Sequence, residues 1–366
     1  MRNAAVGGPG LSALQALNPT LGSVVIDGVS VACAEVQTQE PEFDAEDASS
    51  ARRLLLRVRG FACSAADRGR LVAAAGFPGG SFYVMGSEFV ADVVEVGREV
   101  RSVSPGTRVI GDNSWPGVAG AAWRGGIPTQ HASREYLVLH EEKVIAIPPA
   151  METADAAGFS VAAQTAYALV ERVGAGPGTP VLLTAARSAT SLFALDLLRR
   201  LGAEVYAATT SRGDDAWLRE RGAHAVIHLH PGPDGGVEEE LLEEAAAING
   251  FECVLDPFFD LHLAHAVGVM AVGGRYVTCG RRGGAAGGHA AAAYGAALEV
   301  AVVKNLHLIG SSLGAREHLR RALDDHAAGE LRVPVDSVWG GGRVAAFVHR
   351  ACCDPERRGR AVYLYD

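Results

Sequence analysis

The feature that most constrains this chain is a regular alternation of apolar runs and helix-like segments between residues 180 and 279. The run at 180–184 reads PVLLT, which is the pattern of a strand covered on both faces of a sheet. Leucines then recur at helical spacing from Leu192 to Leu201, and Gly202 follows, as is typical of a helix end. The alternation therefore predicts parallel strands joined by helices.

The same rhythm continues along the chain. Further strands are predicted at 204–208, 225–228, 251–255 and 274–279, and helices at 190–201, 214–221, 237–247 and 261–271. Strands and helices that alternate in this way form a doubly wound sheet. We therefore predict an α/β fold in which residues 152–311 form a Rossmann-type dinucleotide-binding domain.

The sequence before this domain has a different pattern. Short Val-rich strands are predicted at 54–59, 89–96 and 107–110, separated by turn signals such as Pro105-Gly106. The end of the chain offers helices at 315–328 and 344–350 and a strand at 360–365, without an obvious core of its own. We predict that residues 1–151 and 312–366 form one β-rich, barrel-like domain. The stretch 113–131, with Trp115 and Trp123, is either a functional loop or a surface excursion.

Composition excludes several classes of partner. The 366 residues carry a formal net charge of -9, which argues against nucleic acid and against an electrostatic membrane anchor. No apolar run is long enough to span a bilayer, and the N-terminal stretch lacks the apolar core of a secretory signal. The six cysteines are scattered, as in a reduced compartment. We expect a cytoplasmic protein that acts on a small molecule.

The turn after the first strand of the Rossmann-type domain departs from the usual fingerprint. Glycines are expected at positions 185, 188 and 191, but the chain has Ala185, Ser188 and Ser191. One interpretation is an altered dinucleotide turn whose hydroxyls partly replace the lost backbone approach. The alternative is a Rossmann-like domain that has lost its nucleotide. In the first case the pyrophosphate contacts are predicted at Ala186, Arg187, Ser188, Ala189 and Thr190.

The ends of two later strands bear on the cofactor. After the second strand the chain offers Thr210, Ser211 and Arg212 rather than an acidic residue, which favours a 2′-phosphate and therefore NADPH. Arg212 alone is also compatible with a solvated loop arginine. Asp256 ends a strand and either contacts a ribose or belongs to a turn.

Five segments resemble the medium-chain dehydrogenase/reductase superfamily in the family's order. They are GSEFVADVVEVG at 86–97, GTRVIGD at 106–112, ADAA at 154–157, QTAY at 164–167 and KNLHLIGSSLG at 304–314. The turn spacing is similar to that of quinone oxidoreductases and stand-alone enoyl reductases. The resemblance implies a GroES-like catalytic domain that is split around the cofactor domain, a cleft at their junction, and a homodimer or tetramer, of which we expect the homodimer.

The resemblance also assigns residues to the nicotinamide end of the cofactor. Those implied are Thr165, Cys279, Gly280, Ser311, Ser312 and Leu313. At the positions where zinc-dependent relatives carry metal ligands, this chain has Ser64 and Ser87, and the third position falls near Val161. Cys63 is one residue out of place, so no metal is expected.

Without zinc, a reaction that needs no Lewis acid is favoured. Hydride transfer to an activated C=C is such a reaction, because hydrogen-bond donors stabilise and protonate the enolate. The candidate donors are Ser64, Ser87, Tyr83 and His131, although Tyr83 also fits a packed aromatic and His131 a loop histidine. The loop predicted at 281–295 begins with Arg281-Arg282 and either holds a phosphate of the cofactor or of a carrier-bound substrate, or is solvated.

Three functions remain open from sequence. The first is an NADPH-dependent reductase of enones, enoyl thioesters or quinones, with a free, carrier-linked or CoA-linked substrate. The second keeps the fold but reduces a carbonyl or performs a redox-neutral step. The third is a non-catalytic scaffold or partner subunit that has lost the cofactor.

Overall fold

The computed structural model describes residues 1–8, 11, 20–114, 126–229, 238–282 and 288–365. It divides into two compact units. Unit 1 comprises Met1–Val161, Ala315–Ala327 and Val333–Asp366, and unit 2 comprises Ala162–Gly314 and Ala328–Arg332. The predicted loop around Trp115 and Trp123 lies mostly outside the described residues.

Unit 2 is built on a six-stranded sheet whose strand pairs are all parallel. Its strands are β10 (Pro180–Leu183), β11 (Glu204–Thr209), β12 (Ala225–His228), β13 (Phe251–Asp256), β14 (Met270–Thr278) and β15 (His307–Gly310). Their order is β12-β11-β10-β13-β14-β15. This is the 3-2-1-4-5-6 order of the dinucleotide-binding fold, so the predicted Rossmann-type sheet is confirmed.

One helix precedes these strands and five connect them. They are α3 (Ser160–Val173), α4 (Ala189–Arg200), α5 (Asp215–Arg221), α6 (Glu239–Ala247), α7 (Phe259–Gly268) and α8 (Gly288–Val303). Side chains from alternate strand positions fill the core between sheet and helices, among them Leu182, Tyr206, Ile227, Phe251 and Val254. Buried aliphatic and aromatic residues on successive parallel strands are the expected core of such a sheet.

Unit 1 contains two sheets. The first nine strands of the chain belong to it: β1 (Arg2–Gly7), β2 (Gly22–Ile26), β3 (Val29–Gln37), β4 (Arg53–Ala62), β5 (Tyr83–Val84), β6 (Glu88–Val96), β7 (Arg108–Gly111), β8 (Tyr136–His140) and β9 (Val144–Ala146). The smaller sheet has the order β2-β3-β1-β5, and the larger one includes β4-β6-β7-β9, with β8 beside β4. Two helices accompany them, α1 (Ala65–Ala74) and α2 (Thr153–Ala157).

The end of the chain completes the larger sheet of unit 1. Its elements are α9 (Arg316–Ala327), β16 (Val335–Trp339), α10 (Val344–Cys352) and β17 (Arg360–Leu364). Strand β17 pairs antiparallel with β4, so that Tyr363 lies opposite Phe61. The rings of these two residues and of Phe347 pack at centroid distances of 5.3–5.6 Å, which ties the last strand to the core.

Three sequence predictions about elements are corrected. The loop expected at 281–295 is wrong, because α8 already begins at Gly288; its run of alanines has a high helix propensity. The helix expected at 261–271 ends at Gly268, and β14 begins at Met270 rather than at 274. The buried strand β1 was not predicted at all. Among the described residues, no helix is long and apolar enough to cross a membrane.

Candidate functional site

The turn after β10 contains the altered fingerprint. Ala185 has a φ of 46°, which is the left-handed region that glycine adopts without strain and other residues adopt at a cost. Ser188 has a φ of -69° and forms the N-cap of α4, and Ser191 lies within the helix. Of the three positions, therefore, only the first still has a backbone that favours glycine.

The two serines of this turn use their hydroxyls within the protein. Ser191 is fully buried, and its Oγ donates to the carbonyl oxygen of Thr184 at 2.9 Å. Ser188 Oγ donates to Ser191 Oγ and accepts from the Ser191 N–H, at 3.0 and 3.2 Å. Ser191 thus fills the close contact between helix and strand for which the fingerprint has its third glycine.

The first turn of α4 offers donors to a phosphate. The initial N–H groups of a helix have no acceptor within the helix, and the helix dipole favours an anion there. Two of these donors are satisfied, since Ser188 N–H bonds to the Ala185 carbonyl and Ser191 N–H to the Ser188 side chain. The N–H groups of Ala189 and Thr190 are the pair that a pyrophosphate would meet.

Arg187 joins this turn to the loop after β11. Its Nη1 lies 3.0 Å from Oδ2 of Asp214, a carboxylate that is only 1% exposed. In the same loop, shortly before Asp214, Thr210 and Arg212 are exposed and Ser211 is half-buried. The loop therefore does contain an acidic residue, but a cation already neutralises it.

Asp256 lies at the carboxyl end of β13 and is completely buried. Its Oδ1 accepts from Thr184 Oγ1 at 2.6 Å and lies 2.9 Å from His262 Nδ1. Its Oδ2 accepts from the Tyr276 hydroxyl. Burial alone would raise the pKa of Asp256, but the hydrogen bonds from His262, Thr184 and Tyr276 outweigh it and hold the pKa below its usual value. Both carboxylate oxygens are thus engaged inside unit 2.

The ends of β14 and β15 hold the residues assigned to the nicotinamide. Cys279 is half-buried beside the Pro257 carbonyl, and burial raises the pKa of its thiol to about 12. The Gly280 carbonyl accepts from Phe259 N–H at 3.1 Å. These contacts fix the backbone at the strand end and leave Cys279 a neutral thiol.

Ser311 differs from its neighbours in having an unused polar group. Its side chain is 5% exposed, and in the described part of the chain its Oγ has no hydrogen-bond partner. Ser312 is exposed, and Leu313 has a φ of 54°. Nearby in unit 2, the buried Thr165 lies on α3 next to Gln164, whose Nε2 donates to the Gly314 carbonyl at 3.2 Å.

In unit 1, Tyr83 and His131 lie together. Their rings are 5.9 Å apart with an edge-on geometry. The Tyr83 hydroxyl donates to the Gln130 carbonyl at 3.1 Å, and His131 Nδ1 lies 3.2 Å from the Val84 carbonyl. Both side chains therefore lie within hydrogen-bond distance of backbone carbonyls.

Ser64 and Ser87 instead surround a carboxyl group. The Ser64 N–H and Oγ lie 2.7 and 3.2 Å from Asp67 Oδ2, in a capping box at the start of α1. The Ser87 hydroxyl faces the same carboxyl and lowers its pKa. Yet neither Ser87 Oγ nor Asp67 Oδ1 has a partner with hydrogen-bond geometry among the described residues. Asp67 and Ser87 are 0% and 1% exposed.

A buried ion pair lies beside this cluster. Arg360 Nε is 2.7 Å from Glu88 Oε1, and Arg360 Nη1 donates to the Cys63 carbonyl at 2.9 Å. Glu88 Oε2 accepts from the Val161 N–H at 2.9 Å. Burial raises the pKa of Cys63 well above its usual value, so its thiol stays protonated. Within the described ranges, no group of three or more His, Cys, Asp or Glu side chains could hold a metal ion.

Comparisons with known proteins agree with this architecture. The family model described as alcohol dehydrogenase GroES-like domain matches residues 50–149. A quinone oxidoreductase-like protein 2 of Bos taurus is 29% identical over 55% of this chain and 53% of its own length. A trans-enoyl reductase of Aspergillus flavipes is 27% identical over 47% and 51%. The match to a phenolphthiocerol/phthiocerol polyketide synthase subunit of Mycobacterium tuberculosis is 28% identical and covers 70% of this chain but 11% of that protein.

The chain thus spans about half or less of the length of these relatives. A solved structure covers it completely: a thermostable alcohol dehydrogenase from Pyrobaculum aerophilum, with a TM-score of 0.74 and 25% identity over 100% of this chain and 99% of the other. The family match, the quinone oxidoreductase and enoyl reductase relatives and the alcohol dehydrogenase structure together support the medium-chain dehydrogenase/reductase superfamily. The GroES-like and Rossmann-like domains that the resemblance implied are both present.

Sequence reasoning missed several polar residues that the structure brings to these sites. They are Asp67, Glu88, Asp214, His262 and Arg360. A signal existed for Asp67, since Ser64 and Asp67 have the spacing of a capping box. Glu88, Asp214 and Arg360 meet partners that are distant in sequence, so no local pattern indicated them. His262 is six residues from Asp256, but no sequence pattern marked the pair.

Proposed function

We propose that the protein is an NADPH-dependent reductase that transfers hydride to an activated C=C without zinc. The observation that carries the proposal is the donor set at the three positions where zinc-dependent relatives bind metal. Ser64 and Ser87 offer hydroxyls, and Val161 offers hydrocarbon, none of which is a good zinc ligand. Hydroxyl donors suit an enolate, which needs hydrogen bonds and a proton rather than a Lewis acid.

The residues of unit 2 fit a nicotinamide dinucleotide, which when bound supplies the hydride. The N–H groups of Ala189 and Thr190 suit the pyrophosphate, and the small residues Ala186 and Ser188 leave room for it. The buried, unpartnered Ser311 Oγ suits a polar group at the nicotinamide end, because an unsatisfied buried hydroxyl is otherwise costly.

The loop after β11 supports NADPH rather than NADH. Its acidic residue, Asp214, is paired with Arg187 and so is not available to a ribose hydroxyl. Arg187, Thr210, Ser211 and Arg212 together present cations and hydroxyls of the kind that bind a 2′-phosphate.

The relatives support the choice of substrate class. A quinone oxidoreductase-like protein and a trans-enoyl reductase both have names that refer to conjugated acceptors. The proposed substrate is therefore a small enone, enoyl thioester or quinone, with a carrier-linked or CoA-linked form included. For such a substrate, this chain's task is to orient the double bond and to donate a proton to the enolate.

We also propose a homodimer formed through unit 2. Val272, Val302 and Val303 are 75%, 78% and 80% exposed, and the Gly273 N–H that donates to Lys304 O at 2.8 Å places them side by side. Val272 lies on β14 and the other two valines lie at the end of α8, close to β15, which is an edge strand of the six-stranded sheet. An edge strand can pair with its own copy about a twofold axis, and exposed valines near it favour such burial.

Calorimetric titration of the full chain with NADPH, and separately with NADH at the same salt concentration, tests the cofactor. We expect micromolar NADPH binding that weakens at least tenfold in Arg212→Glu but not in Arg320→Glu, a control on the surface of unit 1. The loss of NADPH absorbance then measures the reduction of cyclohexenone, a crotonyl thioester and benzoquinone. Failure of both nucleotides to bind would contradict the proposal.

Two observations favour the non-catalytic alternative. Ala185 is strained, and Ser188 already caps the Ser191 donor that a phosphate would otherwise meet. A chain that has lost its nucleotide would bind neither NADPH nor NADH in the same titration and would still fold cooperatively.

A further inference from the structure

Asp67 is a buried carboxyl without an ion-pair partner within hydrogen-bond reach in the described part of the chain. Among the described residues, its Oδ2 accepts from the Ser64 N–H and Oγ. Its Oδ1 has no partner with hydrogen-bond geometry, although the Ser87 hydroxyl faces the carboxyl closely enough to lower its pKa. A fully buried carboxylate is costly unless it is paired or hydrogen-bonded on both oxygens. By contrast, Glu88 in the same region has both a cation and a backbone donor.

The groups that face Asp67 come from several elements. Arg360 on β17 and the Ser64 and Ser87 donors lower its pKa, but burial is the largest effect and raises it above its usual value. Tyr83 on β5 and two thiols, Cys63 and Cys352, also face it, and their own raised pKa values keep them neutral. The surroundings of Asp67 therefore favour its protonated form more than water does.

We propose that Asp67 stores the proton that Ser64 delivers to the reduced substrate. The inference rests on the proposed reductase function and deepens it. Ser64 is half-exposed, whereas Asp67 and Ser87 are buried, so Ser64 is the member of the cluster that a substrate can touch. The 3.2 Å distance between Ser64 Oγ and Asp67 Oδ2 is short enough for a proton to pass.

The proposed reaction adds one hydride and one proton to the substrate. Hydride adds to the β-carbon of the activated double bond, and the electron pair of that bond moves onto the carbonyl oxygen. The Ser64 hydroxyl gives its proton to this oxygen and takes the carboxyl proton of Asp67. Asp67 is left as a carboxylate that accepts from the Ser64 N–H, and water restores its proton. The enol then tautomerises in solution to the saturated carbonyl.

Asp67 acts only through Ser64 and is therefore a positioning residue, while Ser64 is the catalytic residue. A purely structural role, as the acid of a capping box, predicts a different result. Asparagine can still accept the Ser64 N–H, so Asp67→Asn preserves the cap but holds no transferable proton. Asp47→Asn is a matched control, because Asp47 caps Ser49 N–H at 2.6 Å on the surface of the same unit.

Infrared titration of the cofactor-free protein gives the first measurement. A protonated carboxyl absorbs apart from carboxylates, and we expect one such band in the wild type that disappears in Asp67→Asn and persists in Asp47→Asn. Absence of an Asp67-dependent band at neutral pH would overturn the inference, whether or not the protein reduces any substrate.

Turnover gives the second measurement, with NADPH and cyclohexenone. The wild-type kcat should fall as pH rises through the pKa of Asp67. In Asp67→Asn, kcat should be roughly 100-fold lower with KM little changed, and it should no longer decrease with rising pH. Ser64→Ala should show the same loss and the same flat pH profile. Asp67→Asn with a wild-type pH profile would overturn the inference while leaving the reductase function intact. A wild type that binds no NADPH would instead contradict the reductase function.

Discussion

Arg360 Nε lies 2.7 Å from Glu88 Oε1, and the two side chains are only 9% and 0% exposed. The pair links β17, near the end of the chain, to β6 in the first half of the chain. Because each charge is buried, removal of one partner leaves the other uncompensated. This makes the pair a sensitive test of how the C-terminal segment is held in unit 1.

Arg360→Met should lower the free energy of unfolding by about 3–5 kcal/mol. The double variant Glu88→Leu/Arg360→Met should lose less than Arg360→Met alone, because it leaves no charge buried. Urea denaturation of the full chain measures both. Equal losses in the single and double variants would show that packing, rather than the unpaired charge, dominates.

Ala185→Gly should raise the free energy of unfolding by about 1 kcal/mol, since the left-handed conformation costs alanine roughly that much. Ala186→Gly is the matched control, because Ala186 is buried and does not have a positive φ; it should be destabilising. Thermal unfolding midpoints compare the two. A lower midpoint for Ala185→Gly than for the wild type would mean that the strain at this turn is compensated elsewhere.

Glu141 makes the stability of unit 1 depend on acid pH. Burial alone would raise its pKa, but hydrogen bonds from Arg101, Ser102 and Arg52 lower it from 4.5 to about 2. Because the pKa is depressed in the folded state, its contribution is present above pH 4.5 and is lost as pH falls toward 2. Glu141→Gln should therefore flatten the pH dependence of unfolding in this window.

Glu142→Gln is the control for that prediction. Glu142 also pairs with Arg52, at 3.0 Å, but its side chain is 47% exposed, and exposed pairs contribute little. In urea unfolding at pH 7, 4 and 3, Glu142→Gln should therefore show the same pH dependence of stability as the wild type, whereas Glu141→Gln should not. A Glu142→Gln variant that lost as much of the pH dependence as Glu141→Gln would refute the role given to burial.

The regular part of the fold was predictable because its signals are local. Strands such as 204–208 and 225–228 have apolar runs bounded by turn residues, and each reappears within a residue in β11 and β12. Helix α8 was missed because its Gly and Ala residues also suit a loop, and its exposed Val302 and Val303 give no amphipathic pattern. Strand β1 was missed because its pairing with β3 and β5 lies far along the chain.

The candidate site was harder to predict, because several of its contacts join residues that are distant in sequence. The positions of Ser64 and Ser87 came from a family resemblance, but nothing local shows that both face Asp67. Likewise Arg187 and Asp214 lie on loops after different strands. The sequence shows that no acidic residue directly follows β11. Only the structure shows that the next acidic residue, Asp214, is buried and paired with Arg187.

Arg187 and Arg212 should contribute unequally to the binding of NADPH. Arg187 is held by Asp214 with its side chain 14% exposed, whereas Arg212 is exposed, so Arg187 loses less conformational freedom on binding a phosphate. Arg187→Leu should weaken NADPH binding more than Arg212→Leu does. NADH affinity should change little in Arg212→Leu, and in Arg187→Leu it should fall by less than NADPH affinity, because Arg187 is also predicted to contact the pyrophosphate. Calorimetry with both nucleotides measures this, and a loss of NADH affinity equal to that of NADPH would point to damage of the turn.

Val302→Asp tests the proposed homodimer. A charge in the middle of an apolar interface must be desolvated without a partner, so it should shift the protein toward the monomer. Val94→Asp is the control, since Val94 is also exposed, at 43%, but lies on β6 of unit 1. Light scattering coupled to size exclusion should report a dimer for the wild type and Val94→Asp, and a smaller species for Val302→Asp. A dimer that persists in Val302→Asp would contradict an interface near β15, because a buried, unpaired charge at Val302 would have weakened it.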